Sequence, residues 1–149
     1  MTEVGFYHLT ATPLERALPK LLERVIEAGK RAVVIGGSEA RIDSLDTALW
    51  VYHPQSFLAH GTPSGGHADE QPIYLTTAEE NPNGAQILVL VDGIEPGFID
   101  RFERCLDLFD GKDGEALEAA RRRWRERKEA GHSVTYWRQA ENGRWEKKA

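Results

Sequence analysis

Arg121, Trp124, Arg125 and Lys128 recur at intervals of three, four and seven residues within Ala119-Ala120-Arg121-Arg122-Arg123-Trp124-Arg125-Glu126-Arg127-Lys128. On a helix such intervals share one side, so the spacing gathers an indole and several cations into a single stripe. Guanidinium groups bind carboxylates as two-pronged forks, and an indole supplies apolar contact area. The stripe therefore suits a ligand that carries carboxylates beside a large apolar group. Two other readings use the same residues. Leu117, Ala120 and Trp124 could form a buried face while the arginines pair in water with Glu118, Glu126 and Glu129. The cations could also meet nucleic-acid phosphates, against which the acidic remainder of the chain would repel a long duplex.

No other group of residues carries a comparable signal. The histidines His8, His53, His60, His67 and His132 lack the i, i+4 spacing of a helical zinc pair. His60, His67 and Asp69 surround a Gly/Pro-rich loop and read as solvated polar side chains rather than as a metal site. Cys105 falls between Phe102 and Phe109 on the apolar side of an expected helix, where a thiol behaves as a small hydrophobe. No serine stands in a Gly-x-Ser-x-Gly elbow. Asp43 with Asp46, and Glu79 with Glu80, read as helix-surface and turn charges. Gly36-Gly37-Ser38 has neither the three-glycine spacing of a dinucleotide site nor the Gly-Lys-Ser/Thr of a phosphate loop. It predicts an ordinary turn with Ser38 as N-cap. No catalytic residue, metal or cofactor is expected.

These residues must be positioned by a chain of 149 residues, a length that suits one domain over 1–149. Hydrophobic residues at 40% and charged residues at 29% exclude a disordered or membrane-spanning class. The opening MTEVGFYHLT lacks the basic start and apolar stretch of a signal peptide, and the lone cysteine agrees with a reducing compartment. Both point to the cytoplasm. The net charge of -5 is unevenly spread: residues 115–149 carry +4 and residues 1–114 carry -9, an acidic body with a basic end.

The aromatic and β-branched residues over 4–9 predict a strand, followed at once by a helix signal in Thr12-Pro13-Leu14-Glu15. Thr12 would cap that helix and Glu15 would complete a capping box. Leu14, Leu18, Leu21, Leu22, Val25 and Ile26 recur at helical spacing, Pro19 predicts a kink or a restart, and Gly29 ends the element. The uninterrupted apolar run over 32–35 predicts a buried parallel strand, and 39–50 a helix with Ile42, Leu45, Leu49 and Trp50 near one side. A short strand is expected over 56–60, a loop over 61–70, a strand over 73–76 and a central strand over 87–91. Phe98, Ile99, Phe102, Cys105, Leu106 and Phe109 predict a helix by their spacing; another helix is expected over 115–130 and a strand over 133–139. The alternation is that of an α/β fold with a mainly parallel sheet and helices on both faces.

Over nearly its whole length the sequence resembles the chi subunits of bacterial DNA polymerase III holoenzyme, clamp-loader accessory proteins. The likeness rests on Phe6-Tyr7, on Gly29-Lys30-Arg31 leading to Val33-Val34-Ile35, and on Leu45-Asp46-Thr47-Ala48-Leu49-Trp50 with the following Ser56-Phe57 and His60. It continues through the strand at 87–91 and through Ala120-Arg121 to Ala130-Gly131. The Leu-Asp-x-x-Leu-Trp segment followed by Ser-Phe is its most specific part.

The resemblance implies a Rossmann-like three-layer fold without a nucleotide site, in a non-catalytic protein that needs no cofactor and meets DNA only indirectly. It implies a site for the acidic, Phe-terminated tail of single-stranded DNA-binding protein, with Arg121, Trp124 and Arg125 at the family's tail-binding positions and Lys128 continuing their stripe. It also implies a separate hydrophobic surface, with Trp50 and Phe57, that holds the psi subunit. Trp124 stands where members carry a tyrosine, and Leu117 where some carry a further basic residue. Readings from other classes are an α/β enzyme with a degenerate nucleotide site and a single-stranded nucleic-acid-binding module.

Overall fold

The computed structural model describes residues 2–52 and 58–149. Within them the chain runs β1 (Glu3–Leu9), α1 (Leu14–Glu27), β2 (Ala32–Ile35), α2 (Glu39–Trp50), β3 (Ile73–Thr76), β4 (Ile87–Leu90), β5 (Arg104–Asp110), α3 (Gly114–Glu129), β6 (Ser133–Gln139) and β7 (Trp145–Lys147). The strands form one seven-stranded sheet in the order β3-β2-β4-β5-β1-β6-β7. Every pairing is parallel except that of β6 with β7.

Parallel strands covered on both faces have no solvent side, so they need no polar alternation. Every residue of β2, β3 and β4 is buried accordingly. On one face α1 and α2 bring Leu18, Leu22, Leu45 and Leu49 against Val34, Val89 and Leu108. On the other, Ala120 and Trp124 of α3, together with Phe98, Ile99 and Phe102, cover Phe6, Leu88 and Phe109. The result is the expected α/β architecture with helices on both sides of the sheet.

The largest departure from expectation is the segment 98–109, which is not a helix. It forms a single 3-10 turn at Ile99–Arg101 and then the strand β5, which holds the middle of the sheet between β4 and β1. In β5 the residues Cys105 through Phe109 are all buried, so both faces carry apolar groups and helical spacing arises among them by coincidence. Cys105 therefore sits on a strand. β4, expected as the central strand, lies inside the sheet between β2 and β5.

The start of α1 also differs. Pro13 is the N-cap residue and no side chain caps the helix; the expected Thr12–Glu15 box is not formed. The buried Gln139 competes for those groups: its Oε1 accepts from the amides of Ala11 at 2.9 Å and Thr12 at 3.0 Å, and its Nε2 donates to the Thr12 hydroxyl at 2.8 Å. Glu15 instead accepts from Arg41 at 2.9 Å. Of the kink or restart expected at Pro19, the restart is absent: α1 runs through it as one helix. A missing amide at that position costs about 3 kcal/mol, and burial of Leu18, Leu21, Leu22 and Val25 against the sheet offsets it.

Gly29 ends α1 as expected. With φ of 75° it lets the amides of Gly29 and Lys30 reach the carbonyls of Ile26 and Val25. Ser38 caps α2 by accepting from the Arg41 amide at 3.1 Å. The expected short strand over 56–60 falls partly outside the described residues, and 58–60 are not strand. The loop over 61–70 contains two 3-10 turns, and β7, unforeseen, adds an antiparallel edge. Among the described residues no helix is long and apolar enough to cross a membrane.

Candidate functional site

The helix α3 is closed at both ends by its own sequence. Asp113 Oδ1 accepts from the amides of Glu115 at 3.0 Å and Ala116 at 3.3 Å. At the other end Gly131, with φ of 92°, allows the amides of Gly131 and His132 to satisfy the carbonyls of Lys128 and Arg127.

Its rotation about its axis is set by an unusual anchor. Arg123 is buried and reaches β5, where Nε donates to Asp107 Oδ2 at 2.7 Å and Nη2 to Oδ1 at 2.9 Å. Burial pushes the Asp107 carboxyl above its usual range, opposed by the Arg123 guanidinium. Each helical residue turns by about 100°, so with Arg123 and Ala120 facing the sheet, Arg121, Trp124, Arg125 and Lys128 fall along one flank. Arg122 falls on the other, where it pairs with Glu95 at 3.0 Å and Glu126 at 3.1 Å.

Arg121, Trp124 and Arg125 line one hollow of about 270 Å3 together with Tyr136 of β6 and Ala149. Trp124 is half-buried. Its indole meets Phe6 edge-on at 5.9 Å between ring centroids and Tyr136 at 5.8 Å. Lys128 Nζ lies 5.8 Å from the indole centroid, within range of a cation–π contact. Arg121 pairs with Glu118 at 2.9 Å, an exposed contact of little strength. Among the described residues Arg125 and Lys128 make no ion pair. Of the buried-face reading, Ala120 is buried, Leu117 and Trp124 are half-buried, and Arg121 and Arg122 have glutamate partners; a hollow walled by two arginines and two aromatic rings lies beside them.

Of the two lining residues that sequence reasoning missed, Tyr136 and Ala149, Tyr136 is the aromatic one. On β6 it alternates with Trp137, which packs against the opposite face of the sheet. Its side is legible from strand periodicity, but its place beside Trp124 depends on β6 pairing with β1, which no local pattern encodes.

Trp50 ends α2 and is 59% exposed, beside Val51 at 73%. The indole stands edge-on to His60 at 5.0 Å. Phe57 lies outside the described residues. His60 bonds Asp46 Oδ1 at 2.8 Å and the Leu58 carbonyl at 2.7 Å, while His67 is exposed beside Glu70, so they do not converge on a loop metal site. Among the described residues no three His, Cys, Asp or Glu side chains gather at metal-ligand spacing. Burial pushes the Cys105 thiol up, which disfavours the nucleophilic thiolate.

A crevice of about 840 Å3 opens at the carboxyl ends of β1 and β5, where α/β folds commonly take nucleotides. Its arginines are occupied: Arg41 by Glu15 and Asp92, Arg122 by Glu95 and Glu126, and Arg123 by Asp107. Asp110, Asp113 and Glu115 add further negative charge to its walls, against a single lysine, Lys112. Phosphates would meet carboxylates there rather than free guanidinium groups.

The model of the family described as "DNA polymerase III chi subunit, HolC" matches residues 1–135. A probable DNA polymerase III subunit chi from Rickettsia prowazekii is 28% identical over 91 residues, which cover 61% of this chain and 55% of that protein. The chain thus spans little more than half the length of that relative. The DNA polymerase III subunit chi of Pseudomonas aeruginosa is 27% identical over 137 residues, covering 90% of this chain and 94% of its own length. With the family model extending from the first strand into β6 and thus across the whole of α3, the chain belongs to the DNA polymerase III chi subunit family.

Proposed function

We propose that the protein is a non-catalytic accessory subunit of the polymerase III clamp loader that docks the acidic, Phe-terminated tail of single-stranded DNA-binding protein. The observation that carries this reading is the hollow in which Arg121 and Arg125 flank Trp124 and Tyr136. Guanidinium forks match a terminal carboxylate and neighbouring aspartates, and the aromatic walls match a terminal phenyl ring. Charge governs the encounter rate and the ring governs residence time.

The exposed Trp50 and Val51 form the kind of apolar patch that marks a partner surface, and this reading gives it to a psi-type subunit. DNA is engaged indirectly, through the tail's parent protein. The test is calorimetric titration of the full chain with a synthetic acidic peptide ending in Phe. Saturable binding that weakens with added salt and is largely lost when the final Phe is removed supports the assignment. Absence of binding, or equal binding of the shortened peptide, overturns it.

A further inference from the structure

Tyr136 does not stand free in the hollow. Its hydroxyl lies 2.6 Å from Nδ1 of His8, whose side chain is itself buried. The imidazole is clamped: the Phe109 ring packs against it at 5.2 Å, and Gly111 approaches so closely that a Cβ there would overlap the imidazole. The backbone of Tyr136 is equally fixed, paired to Phe6 of β1 on one side and bonded to Lys148 and Ala149 on the other. The phenol therefore meets the hollow with its backbone and its hydroxyl both held, and its ring edge-on to Trp124.

We propose that His8 is a positioning residue for the peptide site, holding Tyr136 as the wall against which an aromatic terminal side chain packs. The inference rests on the reading of the hollow given above. A ring fixed before binding loses no rotational freedom when a ligand arrives, so the hydrogen bond strengthens the ring contact without touching the ligand. The effect is specific to the aromatic end of the peptide, because the carboxylates are met by Arg121 and Arg125, which His8 does not hold.

The test uses the full chain, two acidic peptides that end in Phe or in Ala, and calorimetry at low salt. Tyr136→Phe removes only the hydroxyl, His8→Leu removes its partner, and His8→Asn keeps a hydrogen-bonding atom near the position of Nδ1. Tyr136→Phe and His8→Leu are each expected to weaken the Phe-ended peptide by about threefold to tenfold. The Ala-ended peptide, which keeps only its carboxylate contacts and binds weakly even at low salt, should bind them as weakly as it binds wild type. His8→Asn should restore affinity for the Phe-ended peptide, and the double variant Tyr136→Phe/His8→Leu should bind no more weakly than either single one.

If the Phe-ended peptide binds Tyr136→Phe as tightly as wild type, or if both peptides weaken equally, the positioning role is overturned. Should His8→Leu fail to fold, Tyr136→Phe decides alone. If wild type binds the Phe-ended peptide and Arg121→Ala abolishes that binding while Tyr136→Phe does not change it, only the positioning role falls. If wild type binds neither peptide, the reading of the hollow falls and the inference with it.

Discussion

Arg123 and Asp107 form a two-pronged ion pair between α3 and the central strand β5, with side chains only 2% and 4% exposed. This contact does what a ring of apolar residues does in most helices that pack on sheets: it fixes which flank faces outward. Because Arg123 points inward, the neighbouring Arg122 and Arg121 are sent to opposite flanks, and only the Arg121 side joins Trp124 and Tyr136.

Breaking that pair should be severe. Arg123→Leu leaves a buried, unpaired carboxylate, for which a loss of about 3–5 kcal/mol is expected. Urea unfolding followed by circular dichroism checks the value. Replacing both partners with apolar groups, as in Asp107→Leu/Arg123→Met, should recover much of the loss, because neither charge is then stranded. A double variant as unstable as Arg123→Leu would show that the pair does more than neutralise itself.

The two flanks of α3 should also separate by function. Arg121→Ala removes a charge-assisted contact of about 1.5–3 kcal/mol and should weaken the acidic peptide by roughly tenfold to a hundredfold. Arg122→Ala, on the flank held by Glu95 and Glu126, should leave affinity within about twofold of wild type. Equal losses in calorimetry would mean that overall positive charge, rather than the hollow, attracts the peptide.

The helices α2 and α3 and the strands β2 and β4 were legible in the sequence because a single rule decides each: helical spacing for the first two, unbroken apolar runs for the others. β5 was not, because Asp107 interrupts its apolar run, and Phe98, Phe102, Cys105 and Phe109 mimic a helical face. A carboxylate in a buried strand is tolerable only with Arg123, sixteen residues onward and on another element. The cationic stripe and its indole were legible for the same reason as α3 itself. Tyr136 was not, since its partner His8 lies 128 residues away and meets it only through the β1–β6 pairing. Thr12 illustrates the same limit from the other side: a sound local capping signal loses to Gln139, a side chain 127 residues distant.

His8 should make stability depend on pH. Burial lowers its pKa from the ordinary 6.5, helped by Arg138 and Arg121 and opposed by Asp110; Tyr136 shares its hydrogen bond. The folded state therefore binds the proton less readily than the unfolded chain does. Stability is fully present above the unfolded value and is lost as pH falls through it toward the folded value. Urea midpoints measured between about pH 7.5 and 5.5 should fall more steeply for wild type than for His8→Asn, which cannot titrate there. Parallel slopes would show that the imidazole titrates as it does in the unfolded chain.

The carboxyl-end crevice should take up no nucleotide. A nucleotide that bound the folded state would raise the melting temperature as its concentration exceeded its dissociation constant. With Arg41, Arg122 and Arg123 occupied by carboxylates, neither ATP with magnesium nor NAD should shift that temperature. A concentration-dependent rise would restore the nucleotide-enzyme reading and remove the reason for treating the crevice as closed to phosphates.

Trp50 separates partner binding from folding. An indole that is 59% exposed at the end of α2 keeps less than half of its surface buried, so Trp50→Ala should cost no more than about 2 kcal/mol in urea unfolding. The same substitution removes the largest apolar element of the exposed patch, and aromatic anchors of that kind carry about 2 kcal/mol or more at interfaces. Association with a psi-type subunit, followed by co-purification and calorimetry, should therefore weaken by at least about thirtyfold, while binding of the acidic peptide at α3 stays unchanged. Loss of peptide binding in the same variant would mean that the two surfaces are coupled through the sheet; unchanged association would assign the patch to no such partner.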